Sequence, residues 1–205
     1  MTISLNHTGK RFNYDWIFRR ITFTFLEGGR YAILGPNGSG KSTLLQVISG
    51  HLHHNEGTVT YNIAEKSIDN DAFFRYCAIA APYLELIEEF TLAEIIQFHV
   101  QFKPLLPGFT AKEIAGMVGL EKAMDKQLRY FSSGMKQRIK LALAVFSDVP
   151  VLLLDEPCTN LDAAGVQLYQ QLIEQYCGQR TLIVSSNDEQ EYYMCPERIQ
   201  IVDYK

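Results

Sequence analysis

Gly35-Pro36-Asn37-Gly38-Ser39-Gly40-Lys41-Ser42-Thr43 fits the pattern G-x-x-x-x-G-K-[ST], and its neighbours give the pattern a physical meaning. The apolar run Tyr31-Ala32-Ile33-Leu34 before it reads as a buried parallel strand, and residues 44–48 after it read as the first turns of a helix. Glycines let backbone N–H groups turn inward around a phosphate, and the N-terminus of the following helix adds partial positive charge where the anion sits. Lys41 is placed to neutralise the β and γ oxygens, and Ser42 to ligate Mg²⁺. Residues 35–43 therefore read as a cradle for the phosphates of ATP or GTP. A glycine-rich turn that matched by chance would lack the strand and the helix.

Farther along, Val151-Leu152-Leu153-Leu154-Asp155-Glu156 is an apolar strand ending in two carboxylates. Adjacent acids at a strand end are common as solvated caps. Coupled to a phosphate cradle, they suit the delivery of one acid to a Mg²⁺ shell and one to an attacking water. Asp155 is the expected metal-shell residue and Glu156 the expected general base.

Just upstream stands Phe131-Ser132-Ser133-Gly134-Met135-Lys136-Gln137-Arg138, which resembles the signature sequence of ATP-binding cassette (ABC) ATPases, in the order and spacing of that family. The resemblance covers nearly the whole chain and points to the ATPase subunit of an ABC transporter. It implies that Ser132, Ser133, Gly134 and Met135 act in trans, on the γ-phosphate held by a second cassette. It also implies that Asn160-Leu161-Asp162 forms the loop through which two cassettes communicate, with Asp162 its dimer-facing acid, and that Phe12 stacks on adenine, with Tyr14 or Trp16 as substitutes. The function implied is binding and hydrolysis of Mg-ATP by a cassette dimer, a homodimer when closed on ATP, which drives separate transmembrane permease subunits. The alternative is a soluble nucleotide-dependent switch, or a non-transport cassette protein with weak or no turnover.

Two departures from the family pattern bear on turnover. The family places a Gln at the end of the strand entering its helical lobe, where this chain reads Ala80-Ala81-Pro82-Tyr83, so that Pro82 or Tyr83 takes that place. After the run 181–184, where the family has a His on the γ-phosphate, the chain reads Ser185-Ser186-Asn187-Asp188. Asn187 is the expected replacement, able to donate a hydrogen bond to phosphate but unable to become cationic.

Around these motifs, residues 18–25 alternate as a half-exposed strand does, while residues 181–184 form another short buried run. Thr91-Leu92-Ala93-Glu94 and Thr110-Ala111-Lys112-Glu113 have capping-box spacing, which predicts helices over 92–102 and 111–118, the second closed by Gly119. The expected fold is α/β: a P-loop NTPase core, mostly parallel sheet with an antiparallel β edge, carrying an inserted α-helical subdomain. One ABC ATPase domain spans 1–205, with 1–83 and about 132–205 as RecA-like core and about 84–131 as helical lobe.

Composition agrees with a folded domain and narrows its partners. The chain has 205 residues, 47% hydrophobic and 20% charged, with net charge −4 and scattered cations, so no basic stripe marks it for nucleic acid. Its apolar runs fall short of the ~20 residues of a membrane span, and the first ten residues show no secretory pattern. A cytoplasmic protein is expected, held peripherally at the membrane through its partner. Cys77, Cys158, Cys177 and Cys195 lack C-x-x-C spacing and read as reduced thiols. His51, His53 and His54 cluster after the first helix, where interaction with the helix C-terminal dipole accounts for them better than a metal site does.

Overall fold

The computed structural model describes residues 1–64 and 66–205. Its first half is dominated by an antiparallel sheet. Strand β1 (Thr2–Phe12) turns at Asn13, which takes a left-handed φ of 53°, and returns as β2 (Asp15–Phe25). β4 (Glu56–Ile63) pairs with the other side of β1, and β5 (Lys66–Ile68) completes the order β2-β1-β4-β5. Register shifts between Leu5 and Thr8, and again between Thr8 and Arg11, break the alternation of β1 and explain why its polar residues do not read as a strand.

The second sheet has the order β6-β7-β8-β3-β9, from β3 (Arg30–Leu34), β6 (Cys77–Ala80), β7 (Val151–Asp155), β8 (Thr181–Ser185) and β9 (Glu197–Gln200). Every pairing within it is parallel. The expected antiparallel β edge is thus a sheet of its own laid beside a wholly parallel one. Helix α1 (Lys41–Ile48) lies between the two.

Because strand side chains alternate between faces, β3, β6, β7 and β8 each feed two cores. Ile33, Leu153 and Ile183 join Ile3, Phe18, Phe25 and α1's Leu44 and Leu45 on one side. Ala32, Leu152, Leu154 and Val184 join the helices on the other side, chiefly α4 (Ser133–Val145) and α5 (Ala163–Tyr176). Burying one such aliphatic side chain contributes about 1.5–3 kcal/mol, so burial on both faces holds the strands in order and register.

The helical lobe begins with α2 (Leu92–Val100) and α3 (Ala111–Met117), and both predicted capping boxes form, with each Thr hydroxyl accepting from the N3 amide and each Glu reaching back. α2 stops two residues before the expected 102. The amides of Phe102 and Lys103 both fold back on the His99 carbonyl, and Pro104 disfavours helical geometry in the residue before it. α3 ends one residue early, with Val118 as its C-cap and Gly119 left-handed at φ 71°. Tilted and edge-to-face contacts among Phe109, Phe146 and Tyr176, with centroids 4.8–5.4 Å apart, fasten the lobe to α4 and α5. A single-turn helix α6 (Glu189–Tyr192) follows β8.

Among the described residues no helix is long and apolar enough to cross a membrane. The four cysteines are free, and among the described residues no group of three or more acidic, His or Cys side chains gathers as a metal site.

Candidate nucleotide site

The carboxyl ends of β7, β8 and β3 lie side by side, since Asp155 pairs with Ser185 and Ser185 with Ile33. Loops leaving three adjacent parallel strands must converge at that edge, where α/β sheets take their ligands. Residues 35–40 leave β3 there and pass directly into α1. Gly40 is the N-cap, at φ 104°, and a Cβ on it would collide with the Ile17 side chain, so only glycine admits this turn. With no side-chain cap and no acid in its first turn, α1 presents its N-terminal amides uncompensated. Lys41, 4% exposed, donates from Nζ to the Gly35 carbonyl at 2.8 Å and the Pro36 carbonyl at 3.4 Å, which aims its ammonium into the cradle. Ser39 is buried with its hydroxyl unpaired, while Asn37 stands exposed on the outer wall.

Asp155 ends β7 with only 1% of its surface exposed. Burial raises its carboxyl above the ordinary 3.8; the Ser42 and Ser185 hydroxyls pull it down, Glu156 pushes it up and Lys41 pulls it down. Even so, Asp155 Oδ1 and Ser185 Oγ have no hydrogen-bond partner among the described residues. An unpaired buried carboxylate oxygen costs stability, and beside Ser42 it forms a donor set that suits a hard divalent cation. A carboxyl raised by folding contributes most below the ordinary carboxylate range and loses that contribution as pH climbs through its raised value. At pH 7, Asp155→Asn is therefore expected to raise the nucleotide-free melting temperature, by about 2–4 °C per kcal/mol relieved, and at pH 4 to raise it less. A lowered melting temperature at pH 7 would contradict this account of Asp155.

Glu156 follows at φ 42°, a strained left-handed conformation for a residue with a side chain, held by its amide donating to the Ser185 carbonyl at 2.8 Å. The kink turns the second carboxylate out of the sheet and leaves it half-buried beside Asp155. From the end of β8, Asn187 reaches the cradle: the Gly35 N–H donates to Asn187 Oδ1 at 3.3 Å, and Asn187 Nδ2 donates to Asn37 Oδ1 at 3.2 Å.

At the lobe junction, Lys140 of α4 donates to the carbonyls of Ala81 and Pro82 at 3.3 and 3.1 Å, so this turn is held by its backbone. Tyr83 is the side chain that turns to the site. Its phenol is pushed upward by burial and by the Asp155 charge, and pulled down by a hydrogen bond with Gln46. Gln46 is one helical turn beyond Ser42 on α1, so the two residues share a face. Sequence reading left Pro82 and Tyr83 open and passed over Gln46, whose i+4 spacing from Ser42 is the signal that could have found it. Ser185 was passed over as well; its signal is a polar residue closing an apolar run in register with Asp155.

Phe12 lies at the end of the β1–β2 hairpin, opposite Asp15, and the same hairpin sends Ile17 onto Gly40. It is 48% exposed, with the Lys10 ammonium 5.0 Å from its ring. Trp16 has the guanidinium groups of Arg19 and Arg11 over its ring at 4.1 and 5.5 Å, and Tyr14 projects into solvent at 91% exposure.

The signature residues lie apart from the cradle. Ser132 caps α4 by accepting from the Met135 amide at 3.2 Å. A Cβ on Gly134 would come within 2.9 Å of the Asn160 carbonyl, so glycine is needed for this close approach. Asp162 caps α5 through the Gly165 amide and meets Arg138 at 3.4 Å. Ser132, Ser133, Gly134 and Met135 line one open concavity of about 530 Å³ with Asn160 and Asp162, and none of residues 35–43 lines it. Within α4, Gln137 donates to the Pro157 carbonyl at 2.7 Å, which ties the signature helix to the loop behind Glu156.

A parallel sheet with a glycine-rich loop after β3, adjacent acids at the end of β7 and a helical lobe inserted between β6 and α4 is the fold of P-loop NTPases. The sequence model of the ABC transporter family matches residues 18–159, and the chain belongs to that family. It is similar to the cytochrome c biogenesis ATP-binding export protein CcmA of Agrobacterium fabrum (strain C58 / ATCC 33970), at 31% identity over 92% of this chain and 90% of that protein. Against the phospholipid-transporting ATPase ABCA3 of Rattus norvegicus it is 28% identical and spans only 12% of that protein. In three dimensions it overlays the dimeric bacterial ABC transporter cassette MJ0796 with a TM-score of 0.82, at 23% identity over 97% and 94% of the two chains. The protein is an ATP-binding subunit of an ABC transporter and an ATPase.

Proposed function

We propose that the chain binds Mg-ATP between residues 35–43 and Phe12, pairs with a second copy of itself to enclose two nucleotides, and drives transmembrane subunits carried on other chains from the cytoplasmic face of the membrane. The observation that carries the nucleotide reading is the buried Asp155 oxygen left unpaired beside Ser42 and the Lys41 ammonium. Ser42 and Asp155 are the residues that would hold Mg²⁺, which when bound neutralises charge on the phosphates. Backbone amides of residues 38–43 cradle the phosphates, Glu156 takes the proton of the attacking water, and the Phe12 ring stacks on adenine. In support of pairing, the signature concavity and the cradle are separate surfaces of one chain, so signature donors complete a nucleotide site only across two chains. A cassette of the same fold is described as dimeric. Calorimetry with ATP tests the reading: Mg²⁺ is expected to tighten binding to the wild type, and Asp155→Asn to lose that tightening. Equal affinities with Mg²⁺ and with a chelator in the wild type would refute it.

Asn187 takes the γ-phosphate contact in this reading, because its amide bridges Gly35 and Asn37 at the mouth of the cradle. Losing a donor where charge develops costs on the order of 2 to 4 kcal/mol, so Asn187→Ala should lower phosphate release by up to about a hundredfold, with little change in ATP affinity. Asn187→His should raise it above the wild type, since an imidazole stabilises the transferring phosphoryl better than a neutral amide. Equal rates for the three proteins would make Asn187 a bystander.

A further inference from the structure

We infer that Glu191 is a positioning residue for hydrolysis, its buried carboxylate fastening the loop that carries Glu156 to the turn that carries Asn187. α6 begins directly after Asn187, where Asp188 caps it by accepting from the Gln190 amide at 2.9 Å. One turn later the Glu191 side chain points back into the protein, only 4% exposed. Its Oε1 accepts the Cys158 N–H at 2.6 Å, two residues beyond Glu156. The Ser186 hydroxyl, one residue before Asn187 and 1% exposed, lies near the same carboxylate and lowers it. Ser186 Oγ already accepts from the Asp188 amide at 2.9 Å, which leaves its proton for Glu191. The Tyr169 hydroxyl of α5 donates to the Glu191 carbonyl at 2.5 Å and fixes the backbone that carries this carboxylate.

Burying a carboxylate is costly unless its oxygens are paired. Here burial raises the acid, while the Ser186 hydroxyl and the Cys158 amide lower it and the charges of Asp188 and Glu156 raise it again. The amide it accepts from belongs to the loop that carries Glu156, the proposed base, while the carboxylate itself stands on the helix that follows Asn187, proposed to meet the γ-phosphate. The loops are also joined at their base by the Glu156 amide on the Ser185 carbonyl. Glu191 adds a second tie farther out. Two ties define an orientation where one leaves a hinge, and the strained φ of Glu156 persists only where its surroundings over-determine it. The carboxylate therefore sets the separation of the general base and the Asn187 amide.

The inference rests on the roles proposed above for Glu156 and Asn187. Steady-state phosphate release and ATP affinity are to be measured on the full chain for the wild type, Glu191→Ala, Glu191→Gln and Ser186→Ala, with amide exchange at Cys158. A misplacement near 1 Å costs on the order of a hundredfold in rate. Glu191→Ala is expected to lose about that much in kcat while ATP affinity stays within about threefold. Glu191→Gln can accept from Cys158 and donate to Ser186, so it should recover most of the rate. Ser186→Ala, a small change that leaves the Cys158 bond in place, should lose about tenfold in kcat. A wild-type rate in Glu191→Ala or Ser186→Ala, or equal impairment of the Ala and Gln variants of Glu191, overturns the inference. If the wild type itself releases no phosphate, the hydrolysis reading falls, and exchange at Cys158 still decides the tie. Protection lost in Glu191→Ala and kept in Glu191→Gln supports it; equal protection in both overturns it.

Discussion

Lys41→Ala is expected to weaken the affinity for Mg-ATP about a hundredfold or more. The Lys41 ammonium is buried and held by the Gly35 and Pro36 carbonyls, so its charge stands in the cradle before any anion arrives. Phosphate oxygens exchange for those carbonyls as partners, and a charge-assisted contact of this kind is worth about 1.5–3 kcal/mol. Each 1.4 kcal/mol is about tenfold in affinity, and the low-dielectric surroundings favour the upper end of the range. The neighbouring backbone amides bind phosphate through partial charges alone and cannot replace it. Calorimetry at fixed Mg²⁺ reads the effect directly, and an affinity within about threefold of the wild type would remove Lys41 from the phosphate site. The nucleotide-free melting temperature serves as the control, because alanine also leaves the two loop carbonyls without their donor.

Glu156→Gln should leave ATP affinity within about twofold and remove phosphate release by about a thousandfold, since an amide can hold the water but cannot take its proton, and general base catalysis supplies 10²–10⁴. Gln has nearly the shape of Glu, and the backbone kink is held by the Ser185 carbonyl whichever side chain is present. The loss should therefore fall on kcat with KM little changed. ATP should accumulate uncleaved and trap two chains together, which light scattering would register as a doubling of mass. A Gln variant that releases phosphate at the wild-type rate would transfer the role of base to another group. One that binds ATP and stays monomeric would count against signature residues acting across a dimer.

These predictions draw on features of different legibility. Residues 31–43 could be read from order alone, because strand, cradle and helix follow one another within thirteen positions and the chemistry depends on backbone geometry that glycine permits. The capping boxes at Thr91 and Thr110 are equally local, since each Thr and Glu satisfy amides within the same turn. β1 escaped reading because its alternation is interrupted by bulges that only the pairing with β2 and β4 reveals. Whether Pro82 or Tyr83 turns toward Asp155 depends on Lys140, nearly sixty positions away, holding the intervening carbonyls.

By itself, then, the sequence determined the glycine-rich loop between β3 and α1, the acids that end β7, the Ser132 cap of α4 and the family these residues point to, all of them patterns spaced within a few turns of chain. Tertiary structure alone decided that Asn187 meets Asn37 across 150 positions, that two arginines lie over the Trp16 ring while Phe12 remains at the hairpin end, and that Glu191 lies buried behind Glu156. The physical reason is that local order fixes hydrogen bonds within a helix or turn. Meetings between distant residues follow from which strands lie side by side, and that is settled by the burial of both faces of the parallel sheet as a whole.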